Sequence, residues 1–205
     1  SGSDGDVVKF KVKNHSAKST LIIDPSLVFF TYTGSTSDNW GFTATYGPDG
    51  SFFSGGIVFG QGFPVSPGAF QTTYAGGDGE RAVDIAIMKL TPDGKNRVYA
   101  TYLGGSGQEQ PHSLIVDAQG NLIIAGRTNS SDYPTTVSAV GGGGMDIVVT
   151  KLNAAGNALI GSMRIGGSTN DGVNITEKET GTVSLKRNYG DYARSEVIID
   201  GSGNI

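Results

Sequence analysis

Apolar residues along this chain gather in short runs, broken every few positions by glycine-centred polar turns. Leu114-Ile115-Val116, Leu122-Ile123-Ile124-Ala125 and Ile147-Val148-Val149 are separated by Asp117-Ala118-Gln119-Gly120 and by a loop through Pro134, and Ala154-Ala155-Gly156 follows the last of them. The runs are rich in β-branched and aromatic residues, and none spaces its apolar positions every three or four residues at length. That pattern predicts strands and leaves little room for helix. Residues 112–117, 121–127, 146–152 and 158–165 therefore read as four antiparallel strands. An earlier set at 42–46, 51–58, 84–90 and 97–103 obeys the same grammar, with turns at Pro48-Asp49-Gly50 and Pro92-Asp93-Gly94. Glycine supplies the positive φ that such turns need, and the preceding proline presets their entry.

The two sets are copies. Thr31-Tyr32 and Thr101-Tyr102 stand 70 positions apart, and Gly104-Gly105 and Gly166-Gly167 stand 62 apart. Four-stranded sheets in tandem, each needing a neighbour to cover its faces, predict an all-β fold: a partial β-propeller built of four-stranded antiparallel blades, with an N-terminal β segment. The expected division is an N-terminal β segment over 1–25 and an incomplete propeller over 26–205. Within the latter come an outer strand at 26–34, blades at 35–105 and 106–167, and the start of a further blade with an insertion at 168–205. Residues 27–33 occupy the place of a fourth strand that would complete the last blade of a closed ring. Small residues in the second strands, Ser54-Gly55-Gly56 and Ala125-Gly126, are expected to suit crowding near a central axis. The third copy carries 26 residues between Ser168 and Ser195 where the second has six between Ser106 and Ser113. A long loop on a repeated scaffold is more often functional or variable than structural. The sequence also stops within what reads as a strand, so a fragment of a longer protein is expected.

Composition narrows the possibilities. The chain has 33 glycines among 205 residues, but 37% hydrophobic residues, too many for a disordered linker. Its net charge is −4 and its 15 Lys and Arg are scattered, which speaks against a nucleic-acid partner. No apolar run approaches a membrane span. Cysteine is absent, so disulfides and thiolate metal sites are excluded.

Candidate chemistry is thin, and no catalytic, cofactor or metal residues are assigned. His112-Ser113 with Asp117 invites a triad reading, but neighbours on a regular strand point to opposite faces. The two histidines, His15 and His112, have no metal-binding spacing. Asp49, Asp93, Asp117 and Asp200 fall at turns, which aspartate favours anyway; a calcium ion is the one cofactor considered, and no loop gathers several oxygens locally. The glycine run 141–144 lacks the lysine and following helix of a phosphate loop. Aromatic residues in loops are the better candidates for recognition. Phe63-Pro64 and Tyr133-Pro134 recur at matching positions and read as packing between blades. Trp40 and the inserted Tyr189, Asp191 and Tyr192 are less tied to the repeat and form the candidate interaction surface.

Four motifs of the second copy carry a resemblance: Thr101-Tyr102-Leu103-Gly104-Gly105, Val116-Asp117-Ala118-Gln119-Gly120-Asn121, the stretch from Gly126-Arg127-Thr128 to Tyr133-Pro134, and Asp146-Ile147-Val148-Val149-Thr150-Lys151-Leu152. They resemble the bacterial β-propeller repeat family, and a looser copy covers Gly62-Phe63-Pro64 and the strand at 84–90. The resemblance implies a large secreted or cell-surface protein, commonly from Bacteroidetes, with adhesion-type modules and a C-terminal sorting domain elsewhere. It carries no catalytic motif. The expected function is a non-catalytic extracellular scaffold or adhesion module that binds a protein or glycan and joins the remaining blades of its own protein. Two alternatives stand beside it: an accessory propeller of a secreted degradative system, and a passenger or subunit of a larger surface assembly.

Overall fold

The computed structural model describes residues 28–76, 82–140, 142–171 and 196–205. Eight strands follow in order: β1 (Asn39–Tyr46), β2 (Phe52–Val58), β3 (Asp84–Leu90), β4 (Arg97–Leu103), β5 (Glu109–Val116), β6 (Leu122–Thr128), β7 (Asp146–Leu152) and β8 (Leu159–Ile165). They form two four-stranded antiparallel sheets, β1-β2-β3-β4 and β5-β6-β7-β8. This is the all-β partial propeller that the alternation of runs and turns predicts, and no helix occurs among the described residues.

The sheets face one another across a shared core. Phe53, Ile85, Ile87, Tyr99 and Leu103 from the first meet Leu114, Leu122, Ile124, Val148 and Leu152 from the second, and all are buried. Each such side chain contributes about 1.5–3 kcal/mol by leaving water. The opposite face of the first sheet has its own apolar layer, in which Val58, Ala86, Met88 and Tyr102 are covered by Phe63, Val65, Tyr74 and Phe29. Strand β3 is thus buried at every position, whereas β7 alternates between buried and half-buried. The first strands of the two sheets, β1 and β5, lie side by side.

Two strands start earlier than expected, at Asn39 and Glu109 rather than 42 and 112. The reason is a β-bulge at the same place in both sheets, where the register shifts between Gly41 and Thr43 and between Pro111 and Ser113. Glycine and proline end an ordinary strand, but a bulge accepts them. The bulge also accounts for one small residue in each second strand, Gly56 and Gly126. A Cβ on Gly56 would lie 2.2 Å from the carbonyl oxygen of Trp40, and one on Gly126 would lie 2.3 Å from that of Gln110. The kinked first strand presses its backbone onto the second, and only glycine leaves room.

The two ends of the sheets differ. Tight turns at 47–51, 91–96, 117–121 and 153–158 close one end. The connections 59–83, 104–108, 129–145 and the stretch after Ile165 all emerge at the other. Residues 28–33 pair with no strand among the described residues; Phe29 leans edge-on against Phe52 at 5.8 Å. Residues 1–25, read as an N-terminal β segment, lie outside the described residues. Glu196 and Val197 lie against β5, where the Val197 amide donates to the Ser113 hydroxyl at 3.3 Å.

The bulge contact is testable. Gly126→Ala should lower the unfolding free energy by about 1–3 kcal/mol through overpacking. Gly161→Ala, whose Cβ would meet nothing within 4 Å, should leave it unchanged or raise it by up to about 1 kcal/mol. Urea denaturation of both variants measures this, and equal losses would contradict the role given to the carbonyl.

Candidate functional site

The chemistry of the described residues concentrates at the loop-bearing end, where one sheet crosses to the next. At the first crossing, 104–109, the fully buried Glu109 accepts hydrogen bonds from the hydroxyls of Thr128 and Ser130 at one oxygen and from the Gly105 amide, at 3.0 Å, at the other. Thr128 is its cross-strand partner, so the β5–β6 register itself supplies the first of these bonds. The Glu109 amide donates to the Val83 carbonyl at 2.8 Å, which holds the carboxylate beside the start of β3.

There it meets Asp84, also fully buried. One Asp84 oxygen accepts from the Ala75 amide at 2.8 Å and from Gln71 Nε2 at 3.2 Å. The other, Oδ1, is buried with no hydrogen-bond partner. A Cβ on Gly104 would sit 2.6 Å from that oxygen and 2.7 Å from Glu109 Oε2, so the glycine is what lets the two carboxylates approach. Burial and then the Glu109 charge push the Asp84 carboxyl up to about 7, against the pull of the Ala75 amide. Burial likewise raises Glu109, against the Ser130 and Thr128 hydroxyls. Asp132 stands at the rim, accepts from the Ser106 amide and hydroxyl, and is held low by them.

The second crossing repeats the first. The Gly167 amide donates to Asp171 Oδ2 at 2.6 Å, the Asp171 amide donates to the Met145 carbonyl at 2.5 Å, and Gly166 abuts Asp146. Several residues differ: Thr169, Asn170 and the half-buried Asp171 stand where Gly107, Gln108 and the fully buried Glu109 do. At the ladder position of Tyr102, whose hydroxyl accepts from the Gly62 and Phe63 amides, the second sheet has Arg164. Its guanidinium donates to the Ser130 carbonyl at 2.8 Å and lies 3.5 Å from Asp146. The second crossing therefore brings its own cation.

At the turn end, the lysine of each third strand reaches the aspartate of the first turn. Lys151 lies 2.8 Å from Asp117 and Lys89 lies 3.7 Å from Asp49. Burial would raise Asp117, but bonds from Lys151 and Asn121 outweigh it and hold the carboxyl at about 2. Asp117 also caps its own turn by accepting from the amides of Gln119 and Asn121, and Asp200 does the same for Ser202 and Asn204. Asp93 accepts from the Lys95 amide. These aspartates occupy separate turns, and no group of three or more His, Cys, Asp and Glu is placed to hold a metal among the described residues.

Of the residues expected to form an interaction surface, Trp40 is placed: it is 42% exposed at the start of β1, with its ring 4.9 Å from that of Phe59. Tyr189, Asp191 and Tyr192 lie outside the described residues. Tyr133 is buried in the core between the sheets with its hydroxyl 2.9 Å from Thr150, and Phe63 packs on Tyr102 over the first sheet. The strand-alternation argument against His112 and Ser113 does not carry through the bulge between Pro111 and Ser113. The Ser113 hydroxyl donates to Glu196 at 3.1 Å. The carboxylate pair was not expected, although an acidic residue four positions after each Gly-Gly and an aspartate opening each third strand are visible in the sequence. Being shut off from solvent, Asp84 and Glu109 can only hold a proton or accept bonds from within.

Residues 98–134 match the model of the SBBP family, described as a beta-propeller repeat. The match begins in β4 of the first sheet, spans the crossing and the β5–β6 hairpin, and ends at Pro134, so the family's unit straddles the two sheets. Over this stretch the chain is similar to a β-propeller repeat of this family. No curated protein matches it.

His112 gives a pH prediction. Burial, and then the Arg127 charge, lower its pKa from 6.5 to about 4. The unfolded chain therefore binds a proton that the folded one refuses between these values. This contribution is present above pH 6.5 and is lost as pH falls toward 4. Relative to His112→Gln, the folding constant of the wild type should drop across that window by at most about tenfold per pH unit, measured by urea denaturation at each pH.

Proposed function

We propose that this chain is a non-catalytic interaction module that presents its ligand surface on the loop-bearing end. The observation that carries the reading is the division of labour between the two ends: tight, internally capped turns at one, and long connections, both crossings and the exposed Trp40 at the other. A rigid scaffold with its variable connections on one face is how repeat folds recognise partners. Trp40, braced by Phe59, offers a planar apolar surface that stacks on a sugar ring or inserts into a protein partner.

The finer reading is an extracellular or cell-surface scaffold or adhesion module. Its partners are a protein or glycan ligand and further blades of the same protein. Those blades would cover the half-buried face of β7 and the exposed Ile160, Met163 and Ile165 of β8. An accessory role in a secreted degradative system, with the chemistry on another part of the protein, is the second reading.

A glycan array and an affinity capture from source-cell surface extract, run on the wild type and Trp40→Ala, test this. Saturable binding without turnover is expected, weakened about tenfold or more by the substitution, while the urea midpoint stays nearly unchanged. Turnover of the bound ligand by this chain, or binding indifferent to Trp40 and to the loop-bearing end, would contradict the proposal.

A further inference from the structure

We propose that Asp84 and Glu109 share one proton and so form a pH-dependent clasp between the two sheets. Both side chains are fully buried, one from the start of β3 in the first sheet and one from the start of β5 in the second. Every Glu109 oxygen accepts a bond from a neighbour, and Asp84 Oδ2 accepts two. Among the described residues Asp84 Oδ1 alone in this group has no hydrogen-bond partner at normal distance, though the Gly76 amide also acts on Asp84, and Oδ1 faces Glu109 Oε2 across the space that a Gly104 side chain would fill. One proton on Oδ1 neutralises that orphaned oxygen and removes the close approach of two like charges on either side of Gly104. Two carboxylates at such a site cannot both ionise without a large cost.

The second crossing shows the other solution. Asp146 occupies the place of Asp84, and Arg164 at the Tyr102 position brings a guanidinium to it. Where the sequence has tyrosine instead, the compensating charge comes from a proton. Among the described residues, the groups around the pair do not supply it. Asp132 adds negative charge, and the phenols of Tyr74, raised to about 12, and Tyr133, raised further, stay neutral. The Tyr102 hydroxyl is engaged by Gly62 and Phe63, and Arg164 is engaged by Ser130 and Asp146. Among the described residues neither Asp84 nor Glu109 forms a salt bridge.

The consequence has a definite sign. Asp84 titrates near 3.8 in the unfolded chain and near 7 in the folded one. The stability tied to the shared proton is therefore fully present below pH 3.8 and is lost as pH rises through about 7. Above that, two charges face each other across the crossing, and the wedge between the sheets is strained at the end that carries the loops. His112 runs in the opposite direction between 6.5 and about 4, so the wild-type profile is shallow there and the pair must be read against a variant.

Asp84→Asn keeps the shape and removes the charge. The ratio of its folding constant to that of the wild type should rise by up to about tenfold per pH unit from pH 4 toward 7 and then level off, leaving the variant the more stable protein at pH 8. A ratio that is flat, or that falls with pH, would overturn the clasp. If Asp84→Asn does not fold, difference infrared spectroscopy of the wild type decides: a protonated-carboxyl stretch present at pH 6 and gone by pH 8.5 is expected, and its absence at both overturns the proposal. Millimolar calcium at pH 8 should leave the wild type unchanged. Stabilisation that Asp84→Asn lacks would assign the site to a cation instead.

Discussion

Phe53, Ile85, Ile87, Tyr99 and Leu103 meet Leu114, Leu122, Ile124, Val148 and Leu152 across the wedge between the two sheets, and the rest of the structure depends on closing that wedge. A four-stranded sheet has two faces to bury, and a neighbouring sheet is the means a repeat fold has to bury them. The inner strands, β1 and β5, approach side by side. The long connections are therefore left at one end, where they pack over the sheets as Phe63 and Tyr133 do, or stand free as Trp40 does.

Closing the wedge brings charge with it. The backbone must cross from β4 to β5 within a few residues, and those residues need partners for their amides. Glu109 and Asp171 supply them from four positions downstream of the glycine whose amide they accept. At the first crossing the cost is a buried carboxylate, Glu109, beside the aspartate that opens the third strand, whereas Asp171 is only half-buried, and buried charge has to be compensated. At the second crossing Arg164 lies 3.5 Å from the buried Asp146 and compensates it. Among the described residues Asp84 has no such partner, and the same geometry that joins the sheets makes their junction responsive to protons.

How much of this was legible depends on the kind of signal. The strands were readable because alternation of apolar runs with glycine turns is local, and six of the eight expected strand ends, at Tyr46, Val58, Leu90, Leu103, Leu152 and Ile165, needed no tertiary information. The bulges were not, since Trp40-Gly41 and Gln110-Pro111 look like strand breaks unless the second strand's Gly56 and Gly126 are known to lie opposite. Lys151 and Asp117 were each visible as motif residues, but only the β6–β7 register places one beside the other. Glu109 reads as a solvated loop residue because acidic side chains are seldom fully buried. Of the proposed recognition residues, Trp40 has a place in the fold and Tyr189, Asp191 and Tyr192 lie beyond the described residues.

If the shared core is what holds both sheets, they must lose protection together. Native-state hydrogen exchange on Leu122→Ala tests this directly, because Leu122 belongs to the second sheet and is fully buried in the common core. The amides of β3 in the first sheet should then exchange faster by the same factor as those of β6 and β7. Protection of β3 left at its wild-type level, while β6 and β7 open, would contradict the account.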